Sequence, residues 1–221
     1  MFSVIPPTGV PISWELVFPK DKENIAKFGD KLTKLLNGEI FLTNSGKSAI
    51  YLVLKAARGF YPEKTEVIVP DYTCWSVPSA VVRAGLKVKP VDIDAESLGF
   101  SIESLSKSIS ERTLAVIVTH LFGVPDKINE IEQLCKRKNL LLIDDAAQGL
   151  GASLGSRPLG SFGDAGILSF GRGKNITTLH GGSAIVRNKR LTEAATSIYS
   201  NEFKSKRESS KIVVASNQEN K

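Results

Sequence analysis

Long apolar runs are missing from this chain: none of its 221 residues fall in a stretch that approaches the roughly 18 consecutive apolar positions of a membrane-spanning helix. The start, MFSVIPPTGVPISW, has neither the charged nor the apolar region of a secretory signal, so a cytoplasmic location is expected. Cysteine is nearly absent. Cys74 and Cys135 stand far apart and in no Cys-x-x-Cys spacing, which excludes a disulfide framework and a readable metal site. There is no internal repeat, which argues against a solenoid. Charge of one sign is not concentrated either: 29 Lys and Arg face 23 Asp and Glu, a net +6, but they alternate along helix-like segments. Without a basic stripe interleaved with aromatics, no nucleic-acid partner is expected. What remains, 42% hydrophobic and 24% charged residues, is the composition of an ordinary folded domain. The length fits one large domain over 1–200, followed by a polar segment, 201–221, with the composition of a disordered tail.

Ile25, Phe28, Leu32, Leu35 and Leu36 recur at helical spacing and stop before Gly38, which predicts a helix over 22–37. A strand is predicted at 40–43 and a helix opening near Gly46. The short apolar run 66–69 ends at Pro70 and reads as the next strand. The alternation continues with helices at 75–84, 102–109 and 126–138 and strands at 87–91, 114–119, 140–143, 166–170 and 183–186. Strands alternating with helices imply an α/β fold, three-layer αβα, with a mostly parallel central sheet. Chemistry in such folds lies beyond the carboxyl ends of the strands.

Two constellations sit at such places. Asn44-Ser45-Gly46-Lys47-Ser48 joins a strand to a helix, where free N–H groups can hold a phosphate; the competing reading is a plain helix cap. A P-loop is the sharp alternative, because Gly46-Lys47-Ser48 precedes a helix. It fails at its first glycine, where this chain has Phe41, so a nucleotide hydrolase is the weaker reading. The second constellation runs from Asp144-Asp145-Ala146-Ala147-Gln148 through Ser169-Phe170 to Lys174. A carboxylate at a strand end can partner a protonated ring nitrogen, and a downstream lysine can form a Schiff base, the two requirements of a pyridoxal phosphate site.

Six segments in order, Ser45-Gly46-Lys47-Ser48-Ala49, Val67 to Thr73, Val91-Asp92-Ile93-Asp94, Thr119-His120-Leu121-Phe122-Gly123, Asp145-Ala146-Ala147-Gln148, and Ser169-Phe170 with Lys174 and Gly181-Gly182, resemble the DegT/DnrJ/EryC1/StrS family of pyridoxal phosphate-dependent sugar aminotransferases. The resemblance implies the large domain of an aspartate aminotransferase-like fold with pyridoxal 5'-phosphate as cofactor. It assigns Lys174 to covalent attachment and proton shuttling, and Asp145 to the ring nitrogen. Gln148 is assigned to the ring oxygen, the backbone of Gly46 and Lys47 with the Ser169 hydroxyl to the phosphate, and His120 to a place nearby, against a structural role, the commoner one for a lone histidine near apolar residues. The implied partners are an amino-acid donor, glutamate, a nucleotide-linked keto sugar, and a second copy of the chain in a homodimer.

The chain departs from the family pattern in several places. Lys47 stands where relatives carry Thr. The usual stacking aromatic is replaced by Cys74, which leaves Trp75 as the candidate stacking face, against a role in packing. His180 replaces an acidic residue before Gly181-Gly182, and Lys174 is retained where some dehydratases of the superfamily carry histidine. Family members continue into a Gly-x-Asn-x-Arg stretch and a small C-terminal domain that are missing here. A truncated product, a fragment of an interrupted gene and a chain that borrows its other half are the three readings of that difference. An inactive remnant that serves as a cofactor-binding or structural partner is accordingly the alternative to an active aminotransferase.

Overall fold

A computed structural model describes residues 23–204 of the chain. Helix α1 (Glu23–Leu36) leads into strand β1 (Glu39–Thr43), helix α2 (Gly46–Arg58) and strand β2 (Glu66–Pro70). Helix α3 (Ser76–Arg83), strand β3 (Lys87–Val91), helix α4 (Ile102–Ser108) and strand β4 (Thr113–Thr119) follow. A 3-10 turn (Leu121–Gly123), helix α5 (Ile128–Lys138) and strand β5 (Leu141–Asp145) come next. The chain then forms a small hairpin of β6 (Ser153–Leu154) and β7 (Arg157–Pro158), strands β8 (Ala165–Ser169) and β9 (Gly182–Val186), and helix α6 (Lys189–Ile198).

Seven strands form one sheet in the order β1-β9-β8-β5-β4-β2-β3. Pairings from β8 through β5, β4 and β2 to β3 are parallel, and β9 runs antiparallel to both β8 and β1. The expected mostly parallel sheet is therefore present, with one reversed strand near an edge. β4 is buried at all seven positions and β2 at all five, as strands covered on both faces must be. Residues that alternate along each strand divide the core in two. Ile117, Ile143 and Ile167 pack with α2, α3 and α6 on one face; Val116, Val118 and Leu142 pack with α1, α4 and α5 on the other.

Boundaries agree with the sequence reading to within one or two residues, and the exceptions have physical causes. The helix expected from 126 begins at Ile128, because the Asp126 carboxylate accepts the N–H groups of Phe100 (3.2 Å) and Lys127 (2.6 Å) instead of continuing the helix. Helix α6 and the hairpin had no predicted counterpart. The Asn188 side chain caps α6 by accepting the Leu191 N–H, and Leu191 and Ala195 bury its inner stripe.

The first residues of the expected polar tail, 201–204, extend α6 as a π-helical turn, Tyr199–Lys204. Tyr199 stacks on Phe203 at 5.5 Å between centroids and donates to the Leu42 carbonyl. Glu202 pairs with Lys55 and accepts from the Tyr51 hydroxyl. The rest of that expected tail, 205–221, lies outside the described residues.

Candidate active site

The carboxyl ends of β1, β8, β5, β4 and β2 open into one cavity of about 290 Å³. Gly46, Lys47, Thr73, Cys74, Trp75, Thr119, Asp145, Gln148, Ser169 and Lys174 all line it. Seven of the eight residues singled out in the sequence thus meet on its wall. His120, the eighth, is not among the lining residues and is fully buried behind them.

The α2 end of the cavity is shaped by close packing. Ser45 caps the helix by accepting the Ser48 N–H, as the cap reading of this turn anticipated. A Cβ on Gly182 would come 2.4 Å from the Gly46 nitrogen, so the second glycine of Gly181-Gly182 is what lets β9 pass under the helix start. A Cβ on Gly46 would meet the Ser169 Cβ at 3.1 Å, so Gly46 brings the first N–H groups of α2 up against the Ser169 side chain. An N-terminus of this kind attracts anions. No acidic side chain occupies the first turn of α2; Lys47 stands there, with its ammonium 4.8 Å from the centre of the Trp75 ring. Trp75 is 71% exposed at the cavity rim, where such a contact is worth about 0.5–1 kcal/mol.

Asp145 ends β5 and is 5% exposed. One carboxylate oxygen accepts the Ala147 N–H at 3.0 Å. Burial pushes its pKa up to about 6, against the opposing pull of the Ala147 N–H, Lys174 and His120. A carboxylate in such a place favours a cationic hydrogen-bond donor as its partner. Lys174 reaches the cavity from the loop after β8, which is held by the Lys174 N–H to Gly171 O contact and by Asn175 bonding the Leu150 carbonyl. Gln148 has its side-chain oxygen tied to the Phe122 N–H at 3.0 Å, which leaves its NH2 as the end able to donate to a ligand. Phe122 adopts φ 57° to make that contact, an uncommon conformation for a bulky residue.

Two further residues line the cavity that sequence reasoning did not single out for a role. Thr73 and Thr119 carry the buried side-chain hydroxyls without a hydrogen-bond partner among the described residues, and both open on this cavity. Thr119 is 6% exposed and stands opposite Asp145 in the β4–β5 register. Buried hydroxyls are nearly always satisfied, so a pair left open on one wall marks a place for a polar ligand. Their position after strand ends was readable in the sequence; their lack of partners was not.

His120 belongs to a different network. Its Nδ1 accepts the Asp126 N–H at 3.1 Å, so its Nε2 carries the proton and donates to Asp144 at 2.9 Å. The other Asp144 oxygen accepts the N–H groups of Gly160 (2.7 Å) and Phe162 (3.0 Å). His120 therefore holds the floor behind the cavity in place.

Among the described residues no cluster of side chains could hold a metal ion, and no helix is long and apolar enough to cross a membrane. Comparison with known proteins places this geometry. GDP-perosamine synthase of Escherichia coli O157:H7 is 32% identical over 168 residues, which cover 76% of this chain and 46% of that protein. An uncharacterised protein of Methanocaldococcus jannaschii is 35% identical over 150 residues, 68% of this chain and 38% of the relative. The solved structure of the sugar aminotransferase CalS13 from Micromonospora echinospora superposes with a TM-score of 0.78 at 24% identity, over 89% of this chain and 57% of that one, and so shares its fold. The chain spans less than half the length of these curated relatives and somewhat more than half of that solved chain. The sequence profile of the DegT/DnrJ/EryC1/StrS aminotransferase family matches residues 20–218, and the chain belongs to that family.

Proposed function

We propose that this chain is the cofactor-binding part of a pyridoxal phosphate-dependent aminotransferase that moves an amino group from an amino acid, glutamate, to a nucleotide-linked keto sugar. The observation that carries the reading is the meeting of Lys174, a buried carboxylate and an anion-attracting helix start in one cavity, lined also by two threonines whose hydroxyls have no partner among the described residues. Each end of that cavity fits one part of the cofactor. Gly46 and Lys47 offer backbone N–H groups, and Ser169 a hydroxyl, to its phosphate. Asp145 keeps a proton on the ring nitrogen, and the free NH2 of Gln148 donates to the ring oxygen. Trp75 offers its exposed indole to the ring face. Pyridoxal phosphate, once bound, supplies an electrophilic carbon and an electron-withdrawing ring. Lys174 would hold the cofactor covalently through its amine and, once free of it, would serve as the base and acid that moves a proton.

A cytoplasmic homodimer is part of this reading, with the second copy covering the cavity mouth. The experiment is trapping. The protein is mixed with pyridoxal phosphate, reduced with borohydride and mapped by peptide analysis. The expected result is a visible absorbance band and a label on Lys174, with no label in Lys174→Ala. A label retained at the same site in Lys174→Ala overturns the assignment. A folded protein that binds no cofactor supports the structural-partner alternative instead. Bleaching of the band by glutamate then tests the donor.

A further inference from the structure

Resting on the reading of this cavity as a phosphate-ester site, we propose that the Lys47 side chain is a two-position cation. In the free protein it lies on the Trp75 indole; with a phosphoryl group bound at the start of α2 it moves onto that group and frees the indole face.

The argument begins with charge. Helix α2 presents its partial positive end to the cavity with no acidic side chain in its first turn. Lys47 adds a full positive charge within that same turn, where a cation opposes the helix dipole. Lys174 brings a second cation to the same cavity. The electron-rich face of Trp75 is the compensation on hand for Lys47, at 4.8 Å. That compensation is weak because the indole is 71% exposed, and water competes for the ammonium. A phosphate dianion offers charge-assisted hydrogen bonds that an indole cannot match. The pull of a ligand on Lys47 therefore exceeds the hold of Trp75.

An independent feature also points to a ligand here. Thr119 is more than nine-tenths buried and lines the same cavity, and its hydroxyl has no partner among the described residues. The exchange links two ends of the site: occupation of the anion end uncovers the aromatic surface at the rim.

The test uses inorganic phosphate as the probe and Trp75 as the reporter, in a Trp14→Phe background that leaves one tryptophan. Phosphate is expected to shift the Trp75 emission and to raise the melting temperature over the same concentration range. Lys47→Met is expected to lose the emission shift and bind phosphate about tenfold more weakly, while Lys47→Arg keeps both. Trp75→Leu, read by melting temperature, is expected to bind phosphate two- to threefold more tightly, because the competing resting place is gone. A purely structural pair would not show that gain.

Unchanged emission while phosphate stabilises the protein, equal affinity in Lys47→Met, or no phosphate binding at all overturns the proposal. The source of the phosphoryl group is separated by two further titrations. Loss of discrimination between pyridoxal phosphate and pyridoxal in Lys47→Met assigns it to the cofactor. Loss of nucleoside diphosphate binding to cofactor-loaded Lys47→Met assigns it to the substrate. Borohydride trapping on Lys174 is scored separately. Trapping with no Lys47 effect removes this inference alone, and a Lys47-dependent phosphate response without trapping removes the aminotransferase reading alone.

Discussion

Two polar regions meet at the end of β5, one on each face of the sheet, and they differ in how completely their hydrogen bonds are made. Behind the sheet, Asp144 has both oxygens engaged by His120, Gly160 and Phe162, and His120 is held in turn by the Asp126 N–H. On the cavity side, Asp145 has the Ala147 N–H on one oxygen, and the hydroxyls of Thr73 and Thr119 have no partner among the described residues. Burial is the same, since Asp144 and Asp145 are 0% and 5% exposed. Satisfaction of polar groups therefore separates a carboxylate built into the sheet end from one that faces the cavity where burial does not.

The same substitution at the two neighbours should break this comparison most sharply. Asn at position 144 has no good orientation. If its oxygen faces His120 Nε2–H, its NH2 faces the N–H groups of Gly160 and Phe162; if it is turned, two donors meet at His120. His120 cannot switch tautomer to relieve this, because Nδ1 is already an acceptor. Asp144→Asn is expected to cost about 2–4 kcal/mol, because buried N–H donors are left facing another donor. That corresponds to a fall in melting temperature on the order of 10 °C by calorimetry. Asp145→Asn is expected to leave the free protein at least as stable as the parent at pH 7. Equal losses at both positions would remove the distinction between the regions.

How much of this was legible without coordinates follows from the same two residues. The run before Asp144-Asp145 read as a strand because it is continuously apolar, and the two-residue period of a strand already puts the neighbours on opposite faces. Which face held the chemistry was not in the pattern. The resemblance puts it on the Asp145 side, through the Asp-Ala-Ala-Gln motif, and the cavity gathers Asp145, Gln148, Lys174, Ser169 and the start of α2. His120 was drawn toward the site because it lies in a motif beside Thr119. The strand end turns its ring to the Asp144 side, the structural role that a lone histidine near apolar residues more often has. Thr119 sat in the same motif unremarked, because an unmet hydroxyl is a property of everything that fails to surround it. Helix α6 was missed although Leu191, Ala194, Ala195 and Ile198 recur at helical spacing and pack on the core; two of the four are alanines, which mark an apolar stripe only weakly.

The cavity side has its own pH signature. The Asp145 pKa is about 6 in the folded chain, above the ordinary carboxylate value of 3.8 from which burial raises it. Between those values the folded protein binds a proton that the unfolded chain releases, so stability falls as pH rises from about 4 to about 6. The penalty is fully present at pH 7 and amounts to about 3 kcal/mol as an upper figure. Urea unfolding at a series of pH values should show this decline in the parent and its absence in Asp145→Asn. Persistence of the decline in Asp145→Asn would assign it to other groups.

The smallest effect is the most discriminating. Thr119→Val keeps shape and removes a hydroxyl that has no partner among the described residues. If the hydroxyl served the fold, its loss would destabilise; because it is orphaned, its loss should raise stability by about 1 kcal/mol. That is a rise of roughly 2–4 °C in melting temperature for a chain of this length. The same variant should bind pyridoxal phosphate about 5- to 10-fold more weakly, the worth of one hydrogen bond to a ligand. Opposite signs in the free and the loaded protein are what a ligand-facing group produces, and Thr119→Ser should restore both values toward the parent. A loss of stability in free Thr119→Val would instead place Thr119 with Asp144 and His120, among the groups that build the sheet end.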